Sequence, residues 1–160
     1  MKYISLLLLL LCFASITYSD EMKHDLKLII GASAFLDEEI PFDHLNVGGS
    51  MRFGLTKRLS IEPQFLYMSG PGSDRDYMLT GNISYDLLSA PRYSIYVVGG
   101  GGLFRHTEEF QIGEFSDNEW TANGGIGVRL HFTEQFFIAP EFRFGWEPLL
   151  SAQIAIGYAF

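Results

Sequence analysis

The stretch "LSAQIAIGYAF", residues 150–160, decides the fold. Phe160, Tyr158, Ile156, Ile154, Ala152 and Leu150 hold one set of alternate positions; Ala159, Gly157, Ala155, Gln153 and Ser151 hold the other. Separation with a period of two is the mark of a β-strand, whose successive side chains point to opposite faces. One face here is apolar and mostly large, and must meet lipid or a core. The other is small or polar, and must be wetted or hydrogen-bonded.

The same alternation recurs upstream. Residues 136–146 set Phe136, Ile138, Pro140, Phe142, Phe144 and Trp146 against Phe137, Ala139, Glu141, Arg143 and Gly145. Residues 120–132 set Trp120, Ile126, Val128, Leu130 and Phe132 against Thr121, Asn123, Gly125, Gly127, Arg129 and His131. Residues 77–87, 59–67 and 45–55 follow suit, and 26–35 and 93–104 carry a weaker version. That makes eight segments of about ten residues, the length a tilted strand needs to cross a bilayer. The polar face is rich in Gly, Ser, Asn, Arg and Glu, which suits the cramped interior of a narrow barrel. The expectation is an all-β fold, an eight-stranded antiparallel up-and-down transmembrane β-barrel. A soluble β-sandwich or lipocalin-like barrel is the competing reading.

The connections support the barrel. Taking the N-terminus as periplasmic, three outer connections are long: "DEEIPFDH" (37–44), "GPGSDR" (70–75) and "HTEEFQIGEFSDN" (106–118). The inner ones, "TKR", "LSAPR" and "TEQ", are short, as is a fourth outer turn, "EPL". Long outer loops and short inner turns are the asymmetry of outer-membrane barrels. Tyr67, Tyr77, Trp120 and Trp146 then ring the outer rim, and Phe53, Tyr85, Tyr93, Phe132, Phe136 and Phe160 the inner one. Aromatic rings favour both membrane interfaces.

The N-terminus reads as a secretory leader. Lys2 precedes an apolar run from Ile4 to Ile16, and Thr17 and Ser19 fit a cleavage site after Ser19. The run is too short for a spanning helix, which needs roughly 20 residues; a retained anchor is the alternative. Cys12 lies between Leu11 and Phe13, which do not suit a lipoprotein signal. The expected organisation is a signal peptide, 1–19, and one barrel domain, 20–160, that has no cysteine and so no disulfide framework. The net charge is −8 overall and −9 once Lys2 is lost, which argues against nucleic-acid binding.

Two further patterns stand out. "NVGGSMRFGLTKRLSIEPQFLY" (46–67) aligns with "NGGIGVRLHFTEQFFIAPEFRF" (123–144) at a constant offset of 77 residues. Either a half-barrel was duplicated or two hairpins met identical demands. In "YVVGGGGLFR" (96–105) four glycines run together without the Lys-Ser/Thr of a phosphate loop and without a following helix. If the chain folds back near Ile112, Gly99, Gly100, Gly101 and Gly102 face the segment containing Gly124, Gly125 and Gly127. The expectation is a thin-walled patch that leaves room inside for long Arg and Glu side chains.

The leader, the eight strands, the Gly-rich fifth strand and the end "PEFRFGWEPLLSAQIAIGYAF" together resemble the small outer-membrane β-barrel family of the OmpA-transmembrane-domain and OmpX type. The resemblance covers essentially the whole chain after the leader and bears on architecture and location rather than activity. It implies residence in the bacterial outer membrane as a monomer, in contact with lipid and lipopolysaccharide. It also implies that the barrel-assembly machinery reads the terminal strand through Ile154, Ile156, Tyr158 and Phe160.

Arg52, Glu62, Arg129, Glu141 and Arg143 point inward by the alternation. Isolated charges in a narrow barrel are costly, so these are expected to pair, either plugging the lumen or lining a selective channel for small solutes or hydrophobic compounds. The acidic outer loops (Asp37, Glu38, Glu39 and Asp43; Glu108, Glu109, Glu114 and Asp117) are solvated surface or a contact surface for a cation, an extracellular ligand or a host protein. The segments 35–44 and 106–118 would carry it. Some barrels of this size modify lipid A; the palmitoyltransferase draws His, Asp and Ser from outer loops, and His44, Ser73 and Asp74 offer those types. That enzyme needs an apolar acyl pocket, whereas this lumen reads polar, and "RHTEE" at His106 lacks the His-x-Ser of the deacylase. No catalytic activity, cofactor or metal is expected: the four histidines, His24, His44, His106 and His131, show no metal-ligand spacing.

Overall fold

The computed structural model describes residues 24–35, 42–72, 74–110 and 113–160, with only the backbone described for 108–110 and 113–115. The segment expected to be a leader, Asp37–Glu39 of the first long connection and Ser73 therefore lie outside the described residues. Eight antiparallel strands follow in chain order: β1 (Asp25–Ala34), β2 (His44–Gly54), β3 (Leu59–Ser69), β4 (Arg75–Ser89), β5 (Tyr93–Phe110), β6 (Gly113–His131), β7 (Phe136–Trp146) and β8 (Leu150–Ala159). Each pairs with its neighbour in sequence, and β1 pairs with β8 from Asp25↔Ala159 to Ala34↔Leu150, so the sheet closes. Closure removes every sheet edge and gives each strand two partners.

Alternation is carried through the whole barrel. The even positions of β2 to β5 and the odd positions of β1 and β6 to β8 point inward. The opposite positions expose an apolar belt that includes Leu28, Phe65, Leu79, Ile83, Ile126, Phe142 and Ile156. Aromatic residues face outward toward both ends of the belt, with Trp120 77% and Phe132 69% exposed. Tyr67 and Tyr77, directly opposite on β3 and β4, approach to 5.4 Å between ring centroids, and Phe136 and Tyr158 do so on β7 and β8 at 5.1 Å.

β1 shows why its pattern reads weakly from sequence. Ile29 points inward among Asp25, Lys27, Gly31 and Ser33, so an apolar residue sits on the otherwise polar face. The third long loop departs from expectation. β5 and β6 run to 18 and 19 residues and stay paired out to Phe110↔Gly113. Much of "HTEEFQIGEFSDN" is thus strand. Once Leu103 and Trp120 are paired, each further pair closes almost no new loop, so the ladder is entropically cheap to prolong.

The 77-residue echo has a physical counterpart. Thr56 Oγ1 accepts the amides of Leu59 at 2.9 Å and Arg58 at 3.2 Å; Thr133 Oγ1 accepts those of Phe136 at 2.9 Å and Gln135 at 3.2 Å. The two short turns are closed by the same side-chain bond. Gly48 packs against the Phe65 carbonyl and Gly125 against the Phe142 carbonyl, which are again equivalent positions.

Candidate functional site

The barrel interior is layered. Nearest the termini, Arg52 Nε donates to Asp25 Oδ2 at 2.5 Å, and Arg129 Nη1 donates to Asp86 Oδ1 at 2.6 Å. Asp86 also lies 3.7 Å from Arg52, so one carboxylate serves both echo-related arginines. Above them, Lys27 Nζ donates to Glu62 Oε1 at 2.6 Å, and Ser50 donates to the same oxygen at 2.7 Å. Arg143 Nε donates to Glu141 Oε1 at 2.5 Å and reaches Asn123 Oδ1 at 3.0 Å; Gln153 Nε2 also donates to Glu141. Tyr96 ties the two layers together: its hydroxyl donates to Glu141 Oε2 at 2.7 Å, and the Arg129 guanidinium lies 3.9 Å from its ring centroid, in cation–π range.

All five charged lumen residues read from the sequence are buried and ion-paired here. Three of their partners were not singled out: Asp25, Lys27 and Asp86. Asp86 stands on the polar face of its strand in the sequence, whereas Asp25 and Lys27 are hidden by the irregular β1 pattern. In mid-barrel, between Lys27, Glu62, Tyr96 and Glu141, the open volume is about 10 Å³. At the termini end a wider recess of about 350 Å³ is lined by Arg52, Ser60, Asp86, Ser94 and Arg129.

The lumen is not polar throughout. Leu66, Met68, Met78 and Phe104 are buried in one cluster, joined by Phe35, between the polar middle and the long-loop end. This apolar layer interrupts the polar face that the alternation suggested.

The glycines distribute differently from the expected patch. Toward β6 only Gly99 faces a glycine, Gly124, while Gly100, Gly101 and Gly102 pair with Asn123, Ala122 and Thr121; toward β4, Gly101 faces Gly81. Gly125 pairs with Val98 and Gly127 with Tyr96. A Cβ at Gly102 would overlap the Leu79 carbonyl oxygen, and one at Gly100 the Gly81 carbonyl oxygen, so these inward positions are held by close backbone approach. Gly127 makes way for the Tyr96 ring, and a Cβ on Gly125 would come within 2.8 Å of the Arg143 side chain. Of the terminal strand, Ile154, Ile156, Tyr158 and Phe160 all face outward.

A second cluster lies at the long-loop end, above the apolar layer. His44 opens β2, Asp76 stands near the start of β4, Asp74 just precedes it, and His106 lies in the outer part of β5. His44 Nε2 is 2.9 Å from Asp74 Oδ2 and 3.6 Å from Asp76 Oδ2. His44 Nδ1 is 2.8 Å from Asp43 Oδ1. His106 Nδ1 lies 2.8 Å from Asp76 Oδ1 and 3.3 Å from Asp74 Oδ1. Two histidines that no sequence spacing links thus meet the same two carboxylates. His44 and Asp76 are almost wholly buried. Both ring nitrogens of His44 meet carboxylates, whereas the base of a Ser-His-Asp triad offers Nε2 to the nucleophile's hydroxyl.

No protein-family model matches the chain, and no curated protein matches it in sequence. Solved structures do match in fold. The N-terminal β-barrel domain of OprF from Pseudomonas aeruginosa superposes with a TM-score of 0.68 at 17% identity, over 86% of this chain and 97% of that one. Neisserial surface protein A gives 0.61 at 10% identity over 86% and 94%. Ail, the attachment invasion locus protein of Yersinia pestis, gives 0.59 at 11% identity over 87% and 97%. The resemblance drawn from the sequence is thereby matched in three dimensions: the chain has the closed eight-stranded architecture of these small barrels.

Proposed function

We propose that the protein is an integral outer-membrane β-barrel whose lumen is closed by its own side chains and whose long-loop end is a contact surface facing outward from the cell. The observation that carries this is the inversion of polarity: charged and amide side chains are buried inside while the apolar belt lies outside. A soluble barrel buries its apolar face; this arrangement fits a barrel solvated by lipid. The outward aromatic residues toward both ends suit the two membrane interfaces. The lumen reading rests on the paired charges, the apolar layer and a mid-barrel gap of about 10 Å³, close to the least volume that holds a single water.

The contact role rests on the β5–β6 hairpin, which rises beyond Arg75↔Thr107, the last pairing it makes with β4. An extracellular ligand or host protein, or the lipopolysaccharide around the barrel, would meet this hairpin first. The terminal strand, with Ile154, Ile156, Tyr158 and Phe160 on its outer face, fits recognition by the barrel-assembly machinery.

Fractionation and planar-bilayer recording test the reading together. The protein is expected in the outer-membrane fraction, with heat-modifiable gel mobility and no defined conductance steps. Reproducible unitary openings would replace the closed lumen with a channel, and recovery in the soluble periplasm would remove the membrane assignment.

A further inference from the structure

We propose that His44, Asp74 and Asp76 form a binding site for a divalent transition metal of the zinc type at the long-loop end of the barrel. Zinc holds imidazole nitrogen and carboxylate oxygen at about 2.0–2.2 Å, which places neighbouring tetrahedral ligands roughly 3.4 Å apart. The distances from His44 Nε2 to Asp74 Oδ2 and Asp76 Oδ2, 2.9 and 3.6 Å, bracket that spacing. One ligand atom from each of the three residues falls within 4.8 Å of the others. An imidazole with two carboxylates is a borderline donor set, suited to zinc and its neighbours and less to calcium or magnesium, which take all-oxygen shells.

The surroundings add two independent arguments. Asp43 Oδ1, 2.8 Å from His44 Nδ1, would accept a hydrogen bond from the Nδ1–H and leave Nε2 to face the other two carboxylates, the usual second support of a metal-bound histidine. Gly70, in the β3–β4 connection, lies directly over the ligand atoms. A Cβ there would overlap His44 Nε2 and stand 2.8 Å from Asp74 Oδ2. The backbone therefore closes over the cluster only because residue 70 has no side chain. Its amide donates to the Asp74 carbonyl at 3.1 Å and holds the connection in that position.

Charge leads to the same assignment. Three carboxylates, Asp43, Asp74 and Asp76, surround two imidazoles in a site largely withdrawn from water. A dication on His44, Asp74 and Asp76 would offset the negative charge these carboxylates bring together. His106 is then a positioning residue that fixes the Asp76 carboxylate. The ion would join β2, the β3–β4 connection and β4, with β5 held through His106, clamping the mouth above the apolar layer.

The test uses the protein purified from membranes in detergent, stripped with a chelator, and titrated with Co²⁺ and then Zn²⁺. One equivalent of Co²⁺ is expected to bind, with visible absorption of a low-coordinate nitrogen–oxygen site, and Zn²⁺ should displace it. His44→Gln and Asp76→Asn should each weaken binding at least about 100-fold, and Asp43→Asn about 10–100-fold, while heat-modifiable folding persists. Gly70→Ala, which changes no ligand, should weaken binding about 10-fold through displacement of His44. His131→Gln, at the other end of the barrel, should bind as the unchanged protein does. The proposal falls if the folded protein takes up neither ion saturably at one equivalent. It also falls if His44→Gln binds as tightly as the unchanged protein, since the ion would then sit on the acidic loops. Should His44→Gln fail to fold, the Gly70→Ala and Asp43→Asn variants decide: undiminished binding in both overturns the site.

Discussion

Lys27 and Glu62 meet at 2.6 Å in the middle of the barrel, from strands that are not neighbours, with both side chains almost wholly removed from solvent. The pair reaches over β2, whose Ser50 donates to the same Glu62 oxygen. Its strength depends on both members being present, because a buried charge left alone bears its full desolvation cost. Glu62→Ala should therefore destabilise the folded barrel by about 3–5 kcal/mol. Lys27→Met combined with Glu62→Leu should recover most of that loss, since an apolar pair of similar volume often matches a buried ion pair. Denaturant midpoints in lipid vesicles, followed by gel mobility, measure both.

The glycine run should respond by position rather than by composition. Gly102→Ala would drive a Cβ into the Leu79 carbonyl oxygen, so assembly should drop sharply. Gly99→Ala brings only an ordinary 3.5 Å contact with the Asn123 carbonyl, and Gly81→Ala meets nothing within 4 Å, so both should assemble. The yield of heat-modifiable protein in the membrane fraction distinguishes them. Equal yields for Gly102→Ala and Gly99→Ala would remove the close-approach explanation.

Lipid contact makes a separate prediction at Leu79, which lies on the outer face opposite Phe65 and Leu103. Leu79→Arg should destabilise the protein by about 2–4 kcal/mol in bilayers if this position lies near the midplane. On a water-facing surface the same change would be close to neutral. Unfolding of both forms in vesicles gives the difference directly.

Tyr96 tests how the two lumen layers are coupled. Tyr96→Phe keeps the ring under Arg129 but removes the hydroxyl that donates to Glu141, and should cost about 1.5–3 kcal/mol, as for a bond to a charged group. Gly127→Ala should cost at least as much by pushing a Cβ into the Tyr96 ring. A double variant, Tyr96→Phe with Gly127→Ala, should still fall below Tyr96→Phe alone, because the ring remains in the way. Equilibrium unfolding of the three variants checks the order.

The chain by itself determined the number of strands, most of their faces and the direction of five lumen charges. Alternation has a period of two and is local, so Arg52, Glu62, Arg129, Glu141 and Arg143 were legible as inward residues, and the outward aromatics likewise. Tertiary structure alone decided who meets whom. Lys27 finds Glu62 only when the sheet curves enough for a β1 side chain to reach over β2 to β3, whereas Arg52 finds Asp25 directly opposite it in the β1–β2 register. β1 concealed both partners because Ile29 breaks its polar face. The same limit applies at the other end, where His44, Asp74, Asp76 and His106 come from separate parts of the chain and converge at the mouth. Periodicity carries direction along one strand; distance between strands follows from barrel closure and side-chain length, which no single segment encodes.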